Sequence, residues 1–264
     1  MFIALSISCS REQLETPDYQ VNTGVYQGEI VTNQTSISKS TVMIQIEFSG
    51  KKLKEPRLSA CTGIVVSKRH VLTAAHCLLM EDAEDMAIKA VFSLDALSTG
   101  ARALPVVDFR LHSEYFTVSK IEKTGVDFAL LKLGADIPSD YGPAQFGTSD
   151  LNLHKVKKFY VAGYGVIDRY GTLDGKLRVA SLPQSYIAPE KDIPIKNEGG
   201  ACVLSGDSGG PLYILNEQNQ PVVVGLLSGG AGQRGDPCQE FNIFAAIAPA
   251  KVFIEKALSE MSVH

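Results

Sequence analysis

A strong excess of one charge is missing from this 264-residue chain. Its formal net charge is −4 at pH 7, and its basic residues cluster only in two short stretches, at 51–54 and 155–158, without interleaved aromatic side chains. Surfaces that bind nucleic acids are usually basic, so we do not expect nucleic acid as a partner. Hydrophobic residues make up 45% and charged residues 20% of the chain, proportions typical of a globular protein with a sizeable core.

The common cofactor and metal motifs are also absent. The sequence has no His-Glu-x-x-His motif, no P-loop and no dinucleotide-binding fingerprint, and its cysteines do not form the close pairs with histidines that structural zinc sites use. We therefore expect neither a metal nor an organic cofactor. Disulfide bonds explain the cysteines better, and four cysteines allow three pairings that spacing alone leaves open. The five cysteines are Cys9, Cys61, Cys77, Cys202 and Cys238.

The apolar segment at the start of the chain is short. Residues 2–8 are too few to span a bilayer, and small residues and Cys9 follow them, as at the end of an export signal. We therefore predict that residues 1–24 are an export-signal remnant, a leader or a pro-segment, and that the protein is exported, either secreted or periplasmic. Cys9 followed by Ser10 leaves open a bacterial lipoprotein, and membrane contact is expected only if Cys9 is lipidated.

From residue 42 onward, short apolar runs such as Val42–Phe48 and His70–Thr73 recur between turn residues. Runs of this length and spacing predict an all-β sandwich or barrel. Residues 250–261 instead have apolar side chains near helical spacing, which predicts one C-terminal helix. We predict one domain over residues 25–264. Its halves on either side of about residue 145 carry similar numbers of strands, which permits two β-barrels with a boundary near residues 140–155.

The first candidate for chemistry is the segment 206–211, in which glycines surround Ser208. Glycine lets a backbone turn sharply and approach a ligand closely. Acyl transfer requires two backbone N–H groups that point at the developing oxyanion, and a glycine two positions before the serine permits that shape. We therefore predict Ser208 as a nucleophile, with the Gly206 and Ser208 N–H groups as an oxyanion hole. A glycine-rich hairpin loop is the alternative explanation.

A histidine and an aspartate complete the candidate catalytic set. His76 follows two alanines at the end of an apolar strand, where small side chains leave room for another loop to approach, and it is our candidate general base. Asp127 leads directly into the apolar run 128–133, where a buried carboxylate would need a partner such as an imidazole. Asp108, also beside an apolar run, is the rival, and the end of a solvated loop is the alternative for Asp127.

Together these motifs resemble the chymotrypsin-like (trypsin-like) serine proteases, which carry TAAHC, an aspartate opening a DxALL strand, and GDSGGP in this order. The resemblance covers about residues 25–260. It implies an all-β fold of two six-stranded antiparallel β-barrels with a C-terminal helix, and a serine endopeptidase that works through a Ser-His-Asp triad and an acyl-enzyme intermediate. In that scheme Ser208 attacks the scissile carbonyl, His76 transfers the proton and Asp127 orients His76.

The same resemblance implies two disulfides, Cys61–Cys77 and Cys202–Cys238. The interval from Cys202 to Ser208 is similar to that of bacterial members. Asp207 matches the aspartate that forms an ion pair with a new amino terminus when a zymogen is cleaved. Residues 25–28 match the family's terminal motif only in part, so activation by cleavage stays open.

The resemblance also implies a substrate-binding pocket. Trypsin itself has an aspartate at the pocket base, whereas this chain has Gly200 and Ala201 just before Cys202, so a strict preference for Lys or Arg is not predicted. We expect an open, mostly apolar pocket, with Asp236 or Glu240 as charged residues that could enter it. The pocket residues predicted are Gly200, Ala201, Ser228, Gly229 and Gly230, with Asn242 beside them.

Two other functions compete with a protease. An inactive homologue of the same fold would act as a binding module, although such proteins usually lose a triad residue and this chain keeps all three. A serine esterase of another fold would have its nucleophile before its histidine, in alternating helices and strands, and this order is reversed here. For the protease we expect protein or peptide substrates and a monomer, with a protein inhibitor as a partner left open.

Overall fold

The computed structural model describes residues 25–26, 28–118, 124–149, 151–168, 170–183, 191–197, 201–231, 238 and 240–262. The predictions for residues 1–24, including Cys9, lie outside this part. The described residues form β1 (Glu29–Ile30), β2 (Thr41–Ser49), β3 (Arg57–Ser67), β4 (His70–Thr73), β5 (Asp85–Phe92), β6 (Arg102–Leu111), β7 (Ala129–Leu133), β8 (Gln145–Phe146), β9 (Lys158–Gly163), β10 (Arg178–Pro183), β11 (Asp192–Lys196), β12 (Pro211–Leu215), β13 (Pro221–Ala231), β14 (Phe241–Ala246) and helix α1 (Ile247–Ser262).

The first half of the chain closes into a barrel. Its strands follow the order β2-β3-β4-β7-β6-β5, and β5 pairs with β2 to complete the ring. In β2 the residues Ile44, Ile46 and Phe48 are buried, whereas Glu47 is exposed. Since successive side chains of a strand point to opposite faces, this alternation fills the barrel with apolar side chains and places polar ones outside.

The second half forms another antiparallel sheet, built mainly from β9 to β14. Its order is β1-β10-β9-β12-β13-β14-β11, and β8 adds a short parallel pairing to β13. Strand β11 is an edge strand and contains Pro194. Proline has no backbone N–H, and an edge strand tolerates it because one side of the strand makes no hydrogen bonds to a neighbour. The predicted fold class, an all-β double barrel with a C-terminal helix, is confirmed, with a closed six-stranded barrel as the first unit and an eight-stranded sheet as the second. The predicted boundary near 140–155 stays a prediction.

Helix α1 packs its apolar stripe on the body of the protein. Ile254, Ala257 and Met261 are buried and follow helical spacing, and Lys132 of β7 donates a hydrogen bond to the Met261 carbonyl at 2.6 Å. The helix begins before Pro249, which is tolerated there because the N–H groups of the first turn have no intrahelical partner. Among the described residues, no helix combines the length and apolar character that crossing a membrane would need.

Buried tyrosines of the second unit hold it against the first barrel. The Tyr164 hydroxyl donates to the Ser93 carbonyl at 2.7 Å. The Tyr213 hydroxyl lies 2.9 Å from the Ser40 hydroxyl. Both tyrosine side chains are fully buried, and burial raises the pKa of Tyr213 to about 12. Because such hydroxyls are costly to bury without partners, these hydrogen bonds tie the position of one unit to the other.

Candidate active site

The first barrel supplies a histidine and a buried aspartate. His76 follows β4 in a short 3₁₀ turn, and Asp127 lies immediately before Phe128 and β7. The His76 Nδ1 atom is 2.6 Å from Asp127 Oδ2, and the His76 backbone N–H donates to Asp127 Oδ1 at 2.9 Å. Asp127 is only 2% exposed, whereas the His76 side chain keeps 35% exposure. The carboxylate therefore holds His76 through one bond to the imidazole and one to the backbone, while the side chain stays partly exposed.

The second unit contributes a third contact to this pair. The Ser228 hydroxyl of β13 donates to Asp127 Oδ2 at 2.6 Å. A buried carboxylate needs several donors, and this one receives them from both halves of the molecule.

The rival aspartate lies elsewhere. Asp108 accepts a hydrogen bond from the Arg110 guanidinium at 2.6 Å and one from the Phe109 N–H at 2.8 Å, and its side chain is 40% exposed. The Arg110 guanidinium and the backbone N–H outweigh desolvation and hold the pKa of this carboxyl below its ordinary value. Asp108 thus forms a surface pair with arginine and does not contact His76.

Ser208 lies in a tight turn that is pressed against the segment before His76. The Ser208 carbonyl accepts a hydrogen bond from the Thr62 N–H at 2.8 Å. Gly209 has φ = +82°, and a Cβ atom there would overlap the Thr73 hydroxyl and the Ala74 nitrogen. Only glycine fits this approach. Among the described residues, no hydrogen bond joins the Ser208 hydroxyl to the His76 imidazole, and the Ser208 carbonyl oxygen lies 3.8 Å from the Cys77 sulfur.

The two predicted oxyanion donors have free N–H groups. Within the described part of the chain, neither the Gly206 N–H nor the Ser208 N–H donates to a protein acceptor. Gly206 has φ = +94°, and its carbonyl is held by the Thr62 hydroxyl at 2.9 Å. The Thr62 hydroxyl also accepts from the Tyr164 N–H at 3.1 Å. Thr62 therefore holds the turn that contains Gly206 in place, a role that the sequence does not predict.

Asp207 is fully buried behind this turn. Its carboxylate accepts hydrogen bonds from the Gly165 N–H at 2.7 Å and the Leu204 N–H at 2.9 Å. Desolvation nevertheless dominates and raises the pKa of Asp207 to about 7. A Cβ atom on Gly165 would collide with the carboxylate, which explains the glycine. The predicted ion pair of Asp207 with a new amino terminus stays a prediction.

The two predicted disulfides are present. Cys61 is bonded to Cys77 and Cys202 to Cys238, with Cα atoms 6.4 Å and 5.4 Å apart. The first bond joins β3 to the turn that carries His76, so it anchors the backbone of the candidate base.

The predicted pocket residues are only partly within the described chain. Ser228, Gly229 and Gly230 follow one another on β13, and a Cβ atom on Gly229 would meet nothing within 4 Å, so this edge borders open space. Ala201 is half-buried and packs against the hydrophobic core of the second unit, and Glu240 is exposed. Gly200 and Asp236 lie outside the described residues.

Asn242, which lies beside this edge of β13, has an unusual environment for a polar side chain. It pairs with Gly230 across β13 and β14 and is fully buried, yet neither its carboxamide nitrogen nor its oxygen has a hydrogen-bond partner among the described residues. An unpaired buried amide is costly, so this side chain should lower the stability of the fold.

A β protein of two packed units, with a histidine and a buried aspartate on one and a serine in a glycine turn on the other, has the architecture of the chymotrypsin-like serine proteases. The profile of the trypsin family matches residues 29–254. The chain belongs to the trypsin family.

Its similarity to individual relatives is moderate. The chain is 27% identical to the proclotting enzyme of Tachypleus tridentatus over 202 residues, which cover 64% of this chain and 51% of that protein. It is 24% identical to a trypsin of Simulium vittatum over 232 residues, covering 82% and 87% of the two chains. It is 27% identical to a trypsin-like protease of Streptomyces glaucescens over 185 residues, covering 65% of each chain. The chain thus spans about half the length of the proclotting enzyme.

Proposed function

We propose that this protein is a serine endopeptidase with Ser208 as nucleophile, His76 as general base and Asp127 as the group that orients the base. The observation that carries this proposal is the paired His76–Asp127 contact in the first barrel, together with the Thr62–Ser208 hydrogen bond that holds the Ser208 turn against the same barrel. Family membership supports the same assignment. The residues at all three positions are chemically competent for acyl transfer.

In the proposed reaction, the Ser208 hydroxyl attacks the scissile carbonyl while His76 removes its proton. The resulting imidazolium is stabilised by Asp127, and His76 then donates the proton to the leaving amine, which frees the product on the carboxyl side. A water molecule then attacks the acyl-enzyme while His76 removes its proton. His76 returns this proton to the Ser208 oxygen, and the second product leaves as an acid. The free N–H groups of Gly206 and Ser208 would bind the oxyanion, a contribution of about 10² to 10³ in turnover for one donor in enzymes of this kind.

We propose proteins or peptides as substrates. Their residues on the amino side of the scissile bond would lie along Ser228, Gly229 and Gly230. Export of the protein fits its two disulfides, which persist in oxidising compartments. The domain is proposed to cover residues 25–264, preceded by a leader at 1–24, and to act as a monomer. Lipidation of Cys9, activation by cleavage and a protein inhibitor remain alternatives for experiment.

The test compares the wild-type chain with Ser208→Ala on a mixed peptide library read by mass spectrometry, beside labelling with a fluorophosphonate. We expect the wild type to cleave and to be labelled, and the variant to do neither. Both proteins are also tested after removal of residues 1–24, which separates an inactive precursor from an inactive fold. If no form cleaves or reacts, the inactive binding module is the better explanation.

A further inference from the structure

Thr62 joins the turn that carries Ser208 to the first barrel. It lies on β3, next to the disulfide-bonded Cys61, and its side chain is fully buried. Its backbone N–H donates to the Ser208 carbonyl at 2.8 Å, and its hydroxyl donates to the Gly206 carbonyl at 2.9 Å. One buried residue of the first barrel therefore holds two residues of the turn.

The direction of the Thr62 hydroxyl proton is fixed by two partners. A carbonyl oxygen can only accept a hydrogen bond, so the hydroxyl must donate to Gly206. A backbone N–H can only donate, so the hydroxyl must accept from Tyr164, at 3.1 Å. Because Thr62 is fully buried, a side chain without the hydroxyl would leave the Gly206 carbonyl and the Tyr164 N–H without this partner.

The orientation of the Gly206 N–H depends on the peptide units on both sides of Gly206. On the amino side, the Ser205 carbonyl accepts from the Val166 N–H at 2.8 Å. The carbonyl and the N–H of a trans peptide point in opposite directions, so this bond turns the Gly206 N–H away from Val166. On the carboxyl side, the Gly206 carbonyl is held by Thr62. Gly206 has φ = +94°, and glycine adopts many conformations at little cost, so the two anchors together select this one.

The same threonine is bonded to the segment that leads to His76. The hydroxyl of Thr73, three residues before His76, donates to the Thr62 carbonyl at 2.8 Å. Thr73 is fully buried and lies against Gly209, where a Cβ atom would overlap its hydroxyl oxygen. The turn with the predicted oxyanion donors and the segment with the candidate base are therefore held by one residue.

We propose that Thr62 is a positioning residue for the oxyanion hole, whose hydroxyl keeps the Gly206 N–H aimed at the reacting carbonyl oxygen. The proposal rests on the proposed function and adds to it a residue that is fully buried and does not touch the substrate. Oxyanion donors act chiefly on the transition state, where the negative charge develops. Loss of the Thr62 hydroxyl should therefore reduce turnover much more than it reduces substrate binding.

The test compares peptide hydrolysis by the wild type, Thr62→Val and Thr62→Ser. Valine keeps the β-branched shape without the hydroxyl, whereas serine keeps the hydroxyl. With active sites counted by complete fluorophosphonate labelling, we expect kcat to fall ~10- to 10³-fold in Thr62→Val, with the loss of one oxyanion donor as the upper limit. KM should change by less than ~3-fold, and Thr62→Ser should keep kcat within ~3-fold of the wild-type value.

Two further measurements separate positioning from a general disturbance of the site. A peptide trifluoromethyl ketone forms an ionised hemiketal with Ser208, whose oxygen occupies the oxyanion hole. Its inhibition constant should rise in Thr62→Val by about the factor by which kcat/KM falls. The affinity of a labelled peptide should differ by less than ~3-fold between Ser208→Ala and the same variant with Thr62→Val added.

Thr41→Val is the matched control. Thr41 is also a fully buried threonine of the first barrel. Its hydroxyl donates to the Ile37 carbonyl at 2.9 Å and lies 3.3 Å from the Tyr213 hydroxyl of the second unit. Removing it deletes a comparable buried hydroxyl away from the Ser208 turn, so kcat should stay within ~3-fold of the wild-type value.

An unchanged kcat in Thr62→Val would overturn the proposal. So would a Thr62→Ser enzyme as slow as Thr62→Val, a Thr41→Val enzyme as slow as Thr62→Val, or a loss of peptide affinity as large as the loss of kcat. If Thr62→Val does not fold, Thr62→Ala removes the same hydroxyl and carries the same expectation. A wild type that neither cleaves peptides nor reacts with the fluorophosphonate would refute the proposed function itself, whereas an active wild type with an equally active Thr62→Val refutes only the role of Thr62.

Discussion

The buried carboxylate of Asp207 should make the stability of this protein fall as the pH rises through neutrality. Its pKa is about 7 in the folded protein and has an ordinary value of 3.8. The folded state therefore holds a proton over a pH range in which the unfolded chain has already released it. Stability from this group is complete below about pH 4 and is lost as the pH approaches 7.

The size of the effect follows from the shift. The difference of about three pKa units corresponds to about 4 kcal/mol, since each unit is worth about 1.4 kcal/mol. The Gly165 and Leu204 N–H groups already favour the charged form, so the desolvation that they oppose is larger still. Above about pH 8 the carboxylate is charged in both states, and no further change is expected from it.

The assay is urea unfolding at pH values from 4 to 9, for the chain with Ser208→Ala and for the same chain with Asp207→Asn added. The Ser208 change prevents self-digestion. Asparagine cannot ionise, so the difference between the two free energies of unfolding isolates the Asp207 proton from all other titrating groups. We expect this difference to fall by about 4 kcal/mol between pH 4 and pH 7 and to stay level above pH 8.

An opposite slope would refute this reasoning. If the carboxylate pairs with the amino terminus of a cleaved chain, its pKa would be lowered, and the difference would rise with pH. The same titration, repeated after removal of residues 1–24, therefore measures whether the predicted activation ion pair forms.

Three other changes test separate parts of the structure. Replacing Cys61 and Cys77 together by alanine should lower the free energy of unfolding by ~3 kcal/mol, because the bond closes a loop of sequence separation 16, as urea unfolding would show. Ser228→Ala should lower kcat by ~10-fold or more by removing a charge-assisted donor from Asp127, as peptide hydrolysis would show. Asn242→Leu should raise the free energy of unfolding by ~1–3 kcal/mol by removing an unpaired buried amide.

Each of these has a clear contrary result. Equal stability of the oxidised wild type and the cysteine double variant would contradict the loop argument. Ser228→Thr keeps the hydroxyl and should retain most of the rate, so an equal loss in both Ser228 variants would point to packing. A loss of stability in Asn242→Leu would mean that the carboxamide is satisfied by groups beyond the described residues.

The strands that could be predicted from sequence are those with a continuous apolar run. His70–Thr73 has the bounds that the sequence pattern indicates. β11 was not predicted, since Pro194 interrupts its pattern, and it exists through pairing with β14. The end of β13, with Ser228 and two glycines, is likewise held in place by β14 and by Asp127, contacts that no local pattern reveals.

The sequence predicts the candidate catalytic residues but not the residues that hold them in place. His76 and Asp127 were identified from their motifs, and the structure joins them. Thr62 left no comparable signal, because a threonine on a strand is ordinary and its value here comes from bonds to Gly206 and Tyr164, far away in sequence.

The candidate site is divided between two units, and this affects when the protein can become active and how it could be inactivated. His76 and Asp127 belong to the barrel that leaves the ribosome first, whereas Ser208 and Ser228 arrive with the second sheet. Under the proposed function, an incomplete chain has a base without a nucleophile and can cut nothing. Cleavage within 134–144, the link between β7 and β8, would act as an off-switch if it let the halves separate. Only the complete and uncleaved chain would then hydrolyse peptide bonds.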